Sequence, residues 1–459
     1  MTNHEQQATN DSPRTTRHEQ LAATRRVVVT GIGIVCPLGH DVETVWQAVL
    51  AGRSGAANTT IFDASTHPTQ FDSEVKGYDV ARYIRHPELH RHANRGCQFA
   101  LGAAVQACRQ AGIDVETDTV HDGIDRTRMG IYLGSGEGSV DNDIFFAAIV
   151  AGWDVHAGRM DWRRWAKVVF GQNSAMQGLE QEPHMPAAHI AMLTSARGPV
   201  RSCLTACAAS TQAIGEAMML IRHGHADVMI SGGCHSMIHP MGVMGFSRLT
   251  ALSTRNDSPP TASRPFSASR NGFVIGEGAG VLILESLDSA RRRGAKVLAE
   301  VIGYGSSADA FRVTDMHDEG RGPIQAIRAA LKDADLSPCD IDYINAHGTS
   351  TVENDSIETL AIRTVFGGQA TKPPVSSIKS TMGHLIGAAG AAELITCVLA
   401  IRDGVIPPTA NLTDQDPKLD LDYVPLKPRK ANLRIIMKES FGFGGQNNVV
   451  IIRRFDGHG

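Results

Sequence analysis

The stretch Cys203-Leu204-Thr205-Ala206-Cys207-Ala208-Ala209-Ser210 predicts a turn in which a strand leads directly into a helix. Apolar side chains then recur every three or four residues, which is typical of a helix with one buried face. These residues are Ile214, Ala217, Met218 and Ile221. Cys207 is therefore predicted to lie at the amino end of a buried helix. Unpaired backbone N–H groups and the helix dipole at that end would lower the pKa of the thiol and make the sulfur a nucleophile.

Other apolar runs predict a layered α/β protein. The first run, residues 25–33, is β-branched and enters a glycine turn, which indicates a buried strand. Similar runs alternate with helical stretches along the chain. They lie at 129–133, 226–230, 280–284, 296–302, 341–344 and 448–452.

The two halves of the chain resemble each other, which indicates an internal duplication. Residues 103–112 are similar to residues 326–335, and each segment precedes a strand that ends in a glycine-rich turn. Each half then offers a second strand-to-helix turn, one with Cys207 and the other with Lys379 and His384. We therefore predict two pseudo-symmetric halves, 25–295 and 296–459, with the chemistry on the seam between them.

Composition restricts the class of protein. The chain has 459 residues, 42% of them hydrophobic, and a formal net charge of -4, so no overall basic field indicates a nucleic-acid partner. Its eight cysteines are scattered, which favours reduced thiols over a disulfide framework. Residues 1–24 lack the apolar stretch of a signal peptide and are predicted to be a disordered tail. No apolar run approaches the roughly 20 residues of a membrane span, so a cytoplasmic location is predicted.

Two distant segments offer partners for Cys207. Residues 345–349 and 379–384 each contain a histidine next to glycine, so a nucleophile, a base and an enolate stabiliser could meet in one cleft. Cys207 could instead be an inert buried thiol, the commoner role of a single cysteine. The cysteines around it lack the paired Cys-x-x-Cys spacing of a zinc site, so no metal is predicted. The glycine-rich turns also lack a full nucleotide-binding fingerprint.

Together these segments resemble the condensing enzymes of the thiolase superfamily, and within it the elongating β-ketoacyl-acyl-carrier-protein synthases of type II systems. The resemblance runs nearly end to end, and the order and spacing of Cys207, His347, Lys379 and His384 agree with it. It implies a thiolase-like fold in five layers, α-β-α-β-α, and a homodimer. The segments that support it are 27–39, 204–210, 251–256, 345–351, 377–393 and 440–445.

The resemblance implies a decarboxylative condensation that elongates a fatty acid. Cys207 would take the acyl chain from the phosphopantetheine of an acyl carrier protein, as a thioester. His347 and His384 would then hydrogen-bond the thioester oxygen of malonyl-carrier while carbon dioxide leaves. The backbone N–H groups of Cys207 and Phe443 would form the oxyanion hole, and the Phe443 side chain would gate the acyl pocket. No cofactor is expected, because decarboxylation itself supplies the carbanion.

The resemblance also implies supporting residues. Lys379 would act electrostatically, while Asp355 and Glu393 would fix the geometry of the histidines and the lysine. Three hydroxyls would contact the pantetheine amides, although capping of local turns remains an alternative. They belong to Thr349, Thr351 and Thr314.

Departures from the family pattern leave other functions open. Glu137 stands where an apolar residue near the acyl tunnel is usual, and Glu439 stands where Asn is usual, which would alter the gating loop. Residues 141–189 form a longer segment rich in tryptophan and arginine, interpreted as a subunit interface or a docking surface. The alternatives are a ketosynthase of a specialised polyketide or polyene pathway, and a non-catalytic partner subunit like a chain-length factor. The intact Cys207, His347 and His384 disfavour the latter.

Overall fold

The computed structural model describes residues 25–117, 121–136, 141–172, 175–367 and 373–457. The predicted tail and Glu137 lie outside the described residues. In the first half the strands are β1 (Val27–Val35), β2 (Ala57–Asn58), β3 (Phe71–Asp72), β4 (Met129–Ser135), β5 (Trp153–Asp154), β6 (Arg159–Met160), β7 (Val200–Cys203), β8 (Val228–His235) and β9 (Gly278–Ser286). The helices are α1 (Val42–Leu50), α2 (Arg95–Ala111), α3 (Asn142–Gly152), α4 (Trp162–Gln172), α5 (Ala175–Leu179), α6 (Met185–Thr194), α7 (Ala209–Arg222), α8 (Pro240–Arg248) and α9 (Leu287–Arg292).

The second half repeats the alternation of strands and helices. Its strands are β10 (Ala299–Ala308), β11 (Tyr343–Asn345), β12 (Val375–Ser376), β13 (Val405–Ile406), β14 (Arg429–Lys430), β15 (Ile435–Gly442) and β16 (Gln446–Arg453). Its helices are α10 (Arg321–Asp333), α11 (Val352–Phe366), α12 (Lys379–Met382) and α13 (Ala389–Asp403). Every apolar run that the sequence analysis assigned to a strand lies in one of these strands or overlaps it.

The large sheet is pseudo-symmetric about its middle. Its order is β12-β11-β15-β16-β10-β1-β9-β8-β4-β7, and the two halves join where β1 pairs with β10. Read from either end inward, two parallel pairings are followed by two antiparallel pairings. The two similar segments found in the sequence cover the carboxyl-terminal parts of α2 and α10 and the one or two residues after them. These helices pack on corresponding parts of the two half-sheets. The division at residues 295 and 296 stays a prediction.

The helices complete five layers, α-β-α-β-α, as a thiolase-like fold requires. Helix α2 covers one half-sheet and α10 covers the other, while α7 and α13 pack together and contact strands of both halves. The apolar faces predicted for the helix after Cys207 are buried in this central layer. The middle of the molecule is thus where the two halves share one core.

Two turns of similar conformation precede the central helices α7 and α13. Ala206 has a φ of 48° and Ile386 a φ of 49°, and each opens a single 3-10 turn that continues into α7 or α13. A β-branched residue such as Ile386 rarely adopts this left-handed conformation, so the packing around it must hold the turn. The two turns contact each other. They bring the amino ends of both central helices to one place.

The tryptophan-rich segment forms a small helical subdomain on the surface. Helices α3 and α4 pack together and are linked by the β5–β6 hairpin. No residue of α4 is buried, and Trp162 and Phe170 are 67% and 85% exposed. Its role as an interface or docking surface stays a prediction. Among the described residues, no helix is both long enough and apolar enough to cross a bilayer.

Candidate active site

Three reactive side chains converge at the seam between the halves. Cys207 lies in the turn before α7, His347 follows β11, and His384 follows α12. Each offers one sulfur or nitrogen atom, and these atoms lie within 4.8 Å of one another. The two imidazole rings have centroids 5.4 Å apart and are nearly perpendicular. A single thioester can therefore contact all three groups.

Both histidines are neutral and present an N–H to this site. The backbone N–H of Ile386 donates to Nδ1 of His384 at 3.2 Å, and Nζ of Lys379 lies 3.4 Å from Nδ1 of His347. Each Nδ1 is thus an acceptor, so each proton lies on Nε2. Burial, with the positive charge of Lys379, lowers the pKa of both rings well below the usual value. Nε2 of His384 has no hydrogen-bond partner among the described residues and is free to bind a substrate oxygen.

The pKa of Cys207 differs from the prediction. Burial of the thiol raises its pKa to about 11, although Lys379 and the backbone N–H groups of Phe443 and Cys207 partly oppose this shift. The expected lowering at a helix terminus was therefore wrong, because the cost of burying an anion is larger than the stabilisation by those dipoles. The resting sulfur is a thiol at neutral pH. Its proton must leave as the sulfur attacks.

The predicted oxyanion hole has its donors next to the sulfur. The same N–H groups of Cys207 and Phe443 lie close enough to the thiol to lower its pKa. Phe443 belongs to the tight turn between β15 and β16, in which Gly444 and Gly445 have φ values of 80° and 70° that favour glycine. The Phe443 side chain packs on the apolar cluster that contains Phe273. Its role in gating stays a prediction.

Beneath His347 lies a buried cluster of three charged residues. Nζ of Lys379 donates to the backbone carbonyl of His347 at 2.5 Å and contacts the Glu393 carboxylate. The second carboxylate oxygen of Glu393 lies 2.8 Å from Nζ of Lys438. Sequence reasoning identified Lys379 and Glu393 but missed Lys438. A lysine that directly follows the apolar residues 435–437 of the buried strand β15 was the available signal.

Carboxylates of α11 hold the turn that contains His347. Asp355 accepts hydrogen bonds from the backbone N–H groups of Ser350 and Phe266, at 3.2 and 2.8 Å. The residue that holds His347 itself is Glu358, which sequence reasoning missed. Its two carboxylate oxygens accept hydrogen bonds from the backbone N–H groups of His347 and Gly348, at 2.6 and 2.7 Å. Its position three residues after Asp355, on the same face of α11, could have identified it.

A cavity of about 520 Å³ leads to Cys207, and the three predicted threonines line it. The hydroxyls of Thr349 and Thr351 are 2.9 Å apart, and Thr314 donates to Asp315 at 3.1 Å. Thr351 is also the N-cap of α11, where its side chain accepts a hydrogen bond from the backbone N–H of Asn354. The alternative role, capping of a local turn, is therefore observed for Thr351. Contact of the three hydroxyls with pantetheine stays a prediction.

The sulfur and the two imidazoles could also serve as metal donors, but the local electrostatics disfavour a cation. Burial lowers the pKa of both rings, and the positive charges of Lys379 and Lys438 lower it further. The same positive potential would repel a divalent ion and would stabilise a developing oxyanion. This site is therefore suited to anionic intermediates.

Comparison with known proteins agrees with this geometry. The family model "Beta-ketoacyl synthase, N-terminal domain" matches residues 24–290, and "Beta-ketoacyl synthase, C-terminal domain" matches residues 298–413. A 3-oxoacyl-[acyl-carrier-protein] synthase 2 of Coxiella burnetii is 39% identical over 94% of this chain and 99% of its own. The enzyme of the same name from Synechocystis is 38% identical over 94% and 98%.

A solved structure is similar over a comparable length. It is a type II polyketide ketosynthase in complex with its acyl-carrier protein, AntDE:AntF, and it covers 95% of this chain and 100% of its own. The TM-score is 0.82 and the sequence identity 32%. With both family models matched and these relatives aligned nearly end to end, the chain belongs to the beta-ketoacyl synthase family.

Proposed function

We propose that this protein is an elongating β-ketoacyl-acyl-carrier-protein synthase of fatty-acid synthesis, an acyltransferase that joins malonyl-carrier to an acyl group held on Cys207. The observation that supports this most directly is the grouping of Cys207, His347 and His384 within 4.8 Å at the end of a cavity. Relatives that match almost their whole length are named 3-oxoacyl-[acyl-carrier-protein] synthase 2.

The reaction proceeds in two halves. The Cys207 sulfur attacks the acyl thioester, loses its proton and releases the carrier's thiol. Malonyl-carrier then loses carbon dioxide, and the electron pair of the broken carbon–carbon bond forms an enolate. The enolate oxygen accepts hydrogen bonds from the N–H groups of His347 and His384. The enolate carbon attacks the acyl carbonyl. The resulting oxyanion is held by the N–H groups of Cys207 and Phe443 until the sulfur leaves as a thiolate and is protonated.

The substrates arrive on an acyl carrier protein. Their phosphopantetheine arm would pass Thr314, Thr349 and Thr351 in the cavity and place the thioester next to Cys207. A related ketosynthase is known in complex with its carrier protein. The enzyme needs no cofactor in this scheme, because the substrate itself supplies the carbanion and the pantetheine. The absence of a cofactor and the cytoplasmic location stay predictions.

One experiment tests the function. The protein is incubated with malonyl-carrier and a series of acyl-carriers of increasing length, and the products are identified by mass. A β-ketoacyl-carrier two carbons longer than the acyl group is expected. Products extended repeatedly without reduction would favour a polyketide or polyene pathway. The lack of any product from a folded protein that also fails to acylate Cys207 would favour a non-catalytic partner subunit.

We further propose a homodimer that forms along β7. This strand is the last in the sheet, and among the described residues it pairs only with β4. Val200 and Leu204 beside this edge are 47% and 51% exposed, and an unpaired edge with apolar neighbours favours pairing with a second copy. Light scattering should give twice the chain mass. Val200→Asp should weaken the dimer, whereas Leu89→Asp, at an exposed site of another surface, should not.

A further inference from the structure

Glu439 is a fully buried carboxyl group to which none of the described residues donates a hydrogen bond. It lies in β15 between Lys438 and Ser440, whose side chains point to the central layer, where they meet Glu393 and Thr211. Alternation along the strand turns Glu439 to the opposite face. There its neighbours in β15, Met437 and Phe441, belong to an apolar cluster. Neither Glu439 oxygen accepts a hydrogen bond from any donor among the described residues.

Helix α11 packs into the same apolar cluster, and the carboxyl of its Glu358 is the group with which Glu439 interacts. Glu358 is a better site for a negative charge than Glu439. Its oxygens accept hydrogen bonds from the backbone N–H groups of His347 and Gly348 and from the side-chain amide of Asn354. Two buried carboxylates in contact cannot both be ionised, so the pair keeps one proton. Burial and the neighbouring Glu358 both raise the pKa of Glu439 well above the ordinary value. The proton therefore belongs on Glu439.

We propose that Glu439 is a positioning residue for His347: it remains a neutral carboxylic acid and donates a hydrogen bond to the Glu358 carboxylate, which in turn fixes the backbone of His347. The chain of contacts runs from Glu439 to Glu358 and then to the turn that presents the imidazole to the substrate. This inference rests on the proposed function for its kinetic consequence. The shared proton itself does not depend on that function.

Charged groups surround the pair on several sides. Helix α11 contributes Asp355, which is paired with Arg270 at 3.7 Å, while β15 contributes Lys438 and α12 contributes Lys379. The two lysines favour the single negative charge. A second charge would place two anions in contact beneath His347. When pH rises through the pKa of Glu439, the proton is lost, the carboxylates repel each other and the turn moves, so condensation should slow on the alkaline side.

Two substitutions separate this role from simple packing. Glu439→Gln keeps an N–H donor at every pH, whereas Glu439→Met fills a similar volume and offers no donor. We expect the Gln variant to condense at nearly the wild-type rate at neutral pH, with its alkaline decline moved up by about one pH unit or more. We expect the condensation rate of the Met variant to fall about 10- to 100-fold, because a hydrogen bond to a charged carboxylate is lost. The rate of acylation of Cys207 should stay within about twofold of the wild-type rate.

The controls make the outcome decisive. Met437→Leu, at a buried site on the same face of β15, should change neither rate. In the infrared spectrum, a protonated-carboxyl C=O band should be present in the wild-type protein, shift in D2O and vanish in Glu439→Gln, whether or not the protein condenses acyl groups. Absence of that band overturns the proposal, as does a Gln variant that is as impaired as the Met variant or whose alkaline decline is unchanged. If the Met variant does not fold, the pH profile and the spectrum of the Gln variant decide.

Discussion

Lys379 contacts His347 at two points, because its Nζ donates to the backbone carbonyl at 2.5 Å and also lies 3.4 Å from Nδ1 of the ring. One buried amine therefore sets both the position of the imidazole and the nitrogen that carries its proton. The Glu393 carboxylate holds that amine in place. Lys379 thus connects the buried ion pair with Glu393 to Nε2 of His347, the atom that faces the substrate.

Replacement of this amine should impair condensation more than acylation. Lys379→Met leaves Nδ1 of His347 without its donor, so the ring can rotate or change tautomer, and we expect condensation to fall on the order of 100-fold. Acyl transfer to Cys207, followed by intact mass, should fall much less. Lys430→Met, at an exposed site in β14, is the control and should leave both rates unchanged. Equal loss of both steps in Lys379→Met would contradict the orienting role.

The nucleophile and the enolate stabiliser should be separable by mutation. Cys207→Ala removes the sulfur and should abolish the acyl-enzyme. His347→Ala should keep acylation but reduce condensation on the order of 100- to 1,000-fold, because one donor to the enolate oxygen is lost. Intact mass measures the first step and product mass the second. An acyl adduct on the Cys207→Ala protein would refute the assignment of the nucleophile.

Much of this fold could be predicted from patterns that burial imposes on a sequence. The β-branched runs predicted the strands, because a buried strand needs apolar side chains along its length. The similarity of residues 103–112 to residues 326–335 predicted the two halves, because both segments carry the same spacing of apolar residues that buries one face of a helix. The pKa of Cys207 could not be predicted in the same way. A helix terminus is visible in a sequence, but the depth of burial that opposes it depends on packing from both halves.

The buried charges that support the histidines were also only partly predictable. Glu393 lies in one of the segments that support the resemblance, whereas Lys438 acts through a contact with a distant helix and Glu358 through the turn 10 and 11 residues before it. Glu439 was expected to alter the gating loop. The structure turns its side chain toward α11, because the alternation of β15 decides which layer each side chain enters, and its effect on the gating loop stays a prediction.

The raised pKa of Cys207 predicts a slow and strongly pH-dependent alkylation. Below a pKa of about 11, the thiolate fraction grows about tenfold for each pH unit, so the rate with iodoacetamide should rise through pH 8 to 10 without a plateau. Peptide mapping separates Cys207 from the exposed Cys339. Cys207→Ala is the control for the modified peptide. A rate that levels off near pH 8 would mean that the helix terminus lowers the pKa after all.

The close approach of β15 to the nucleophile predicts that a side chain at Gly442 would press on the turn that carries Cys207. A Cβ at this position would lie 3.2 Å from the backbone nitrogen of Cys207 and 3.2 Å from the carbonyl oxygen of Thr205. Gly442→Ala should therefore displace an N–H of the oxyanion hole and slow both acylation and condensation about tenfold or more. Gly171→Ala, in α4, meets nothing within 4 Å and should leave both rates unchanged. Unaltered kinetics in Gly442→Ala would contradict the prediction that this contact holds the Cys207 N–H in its catalytic position.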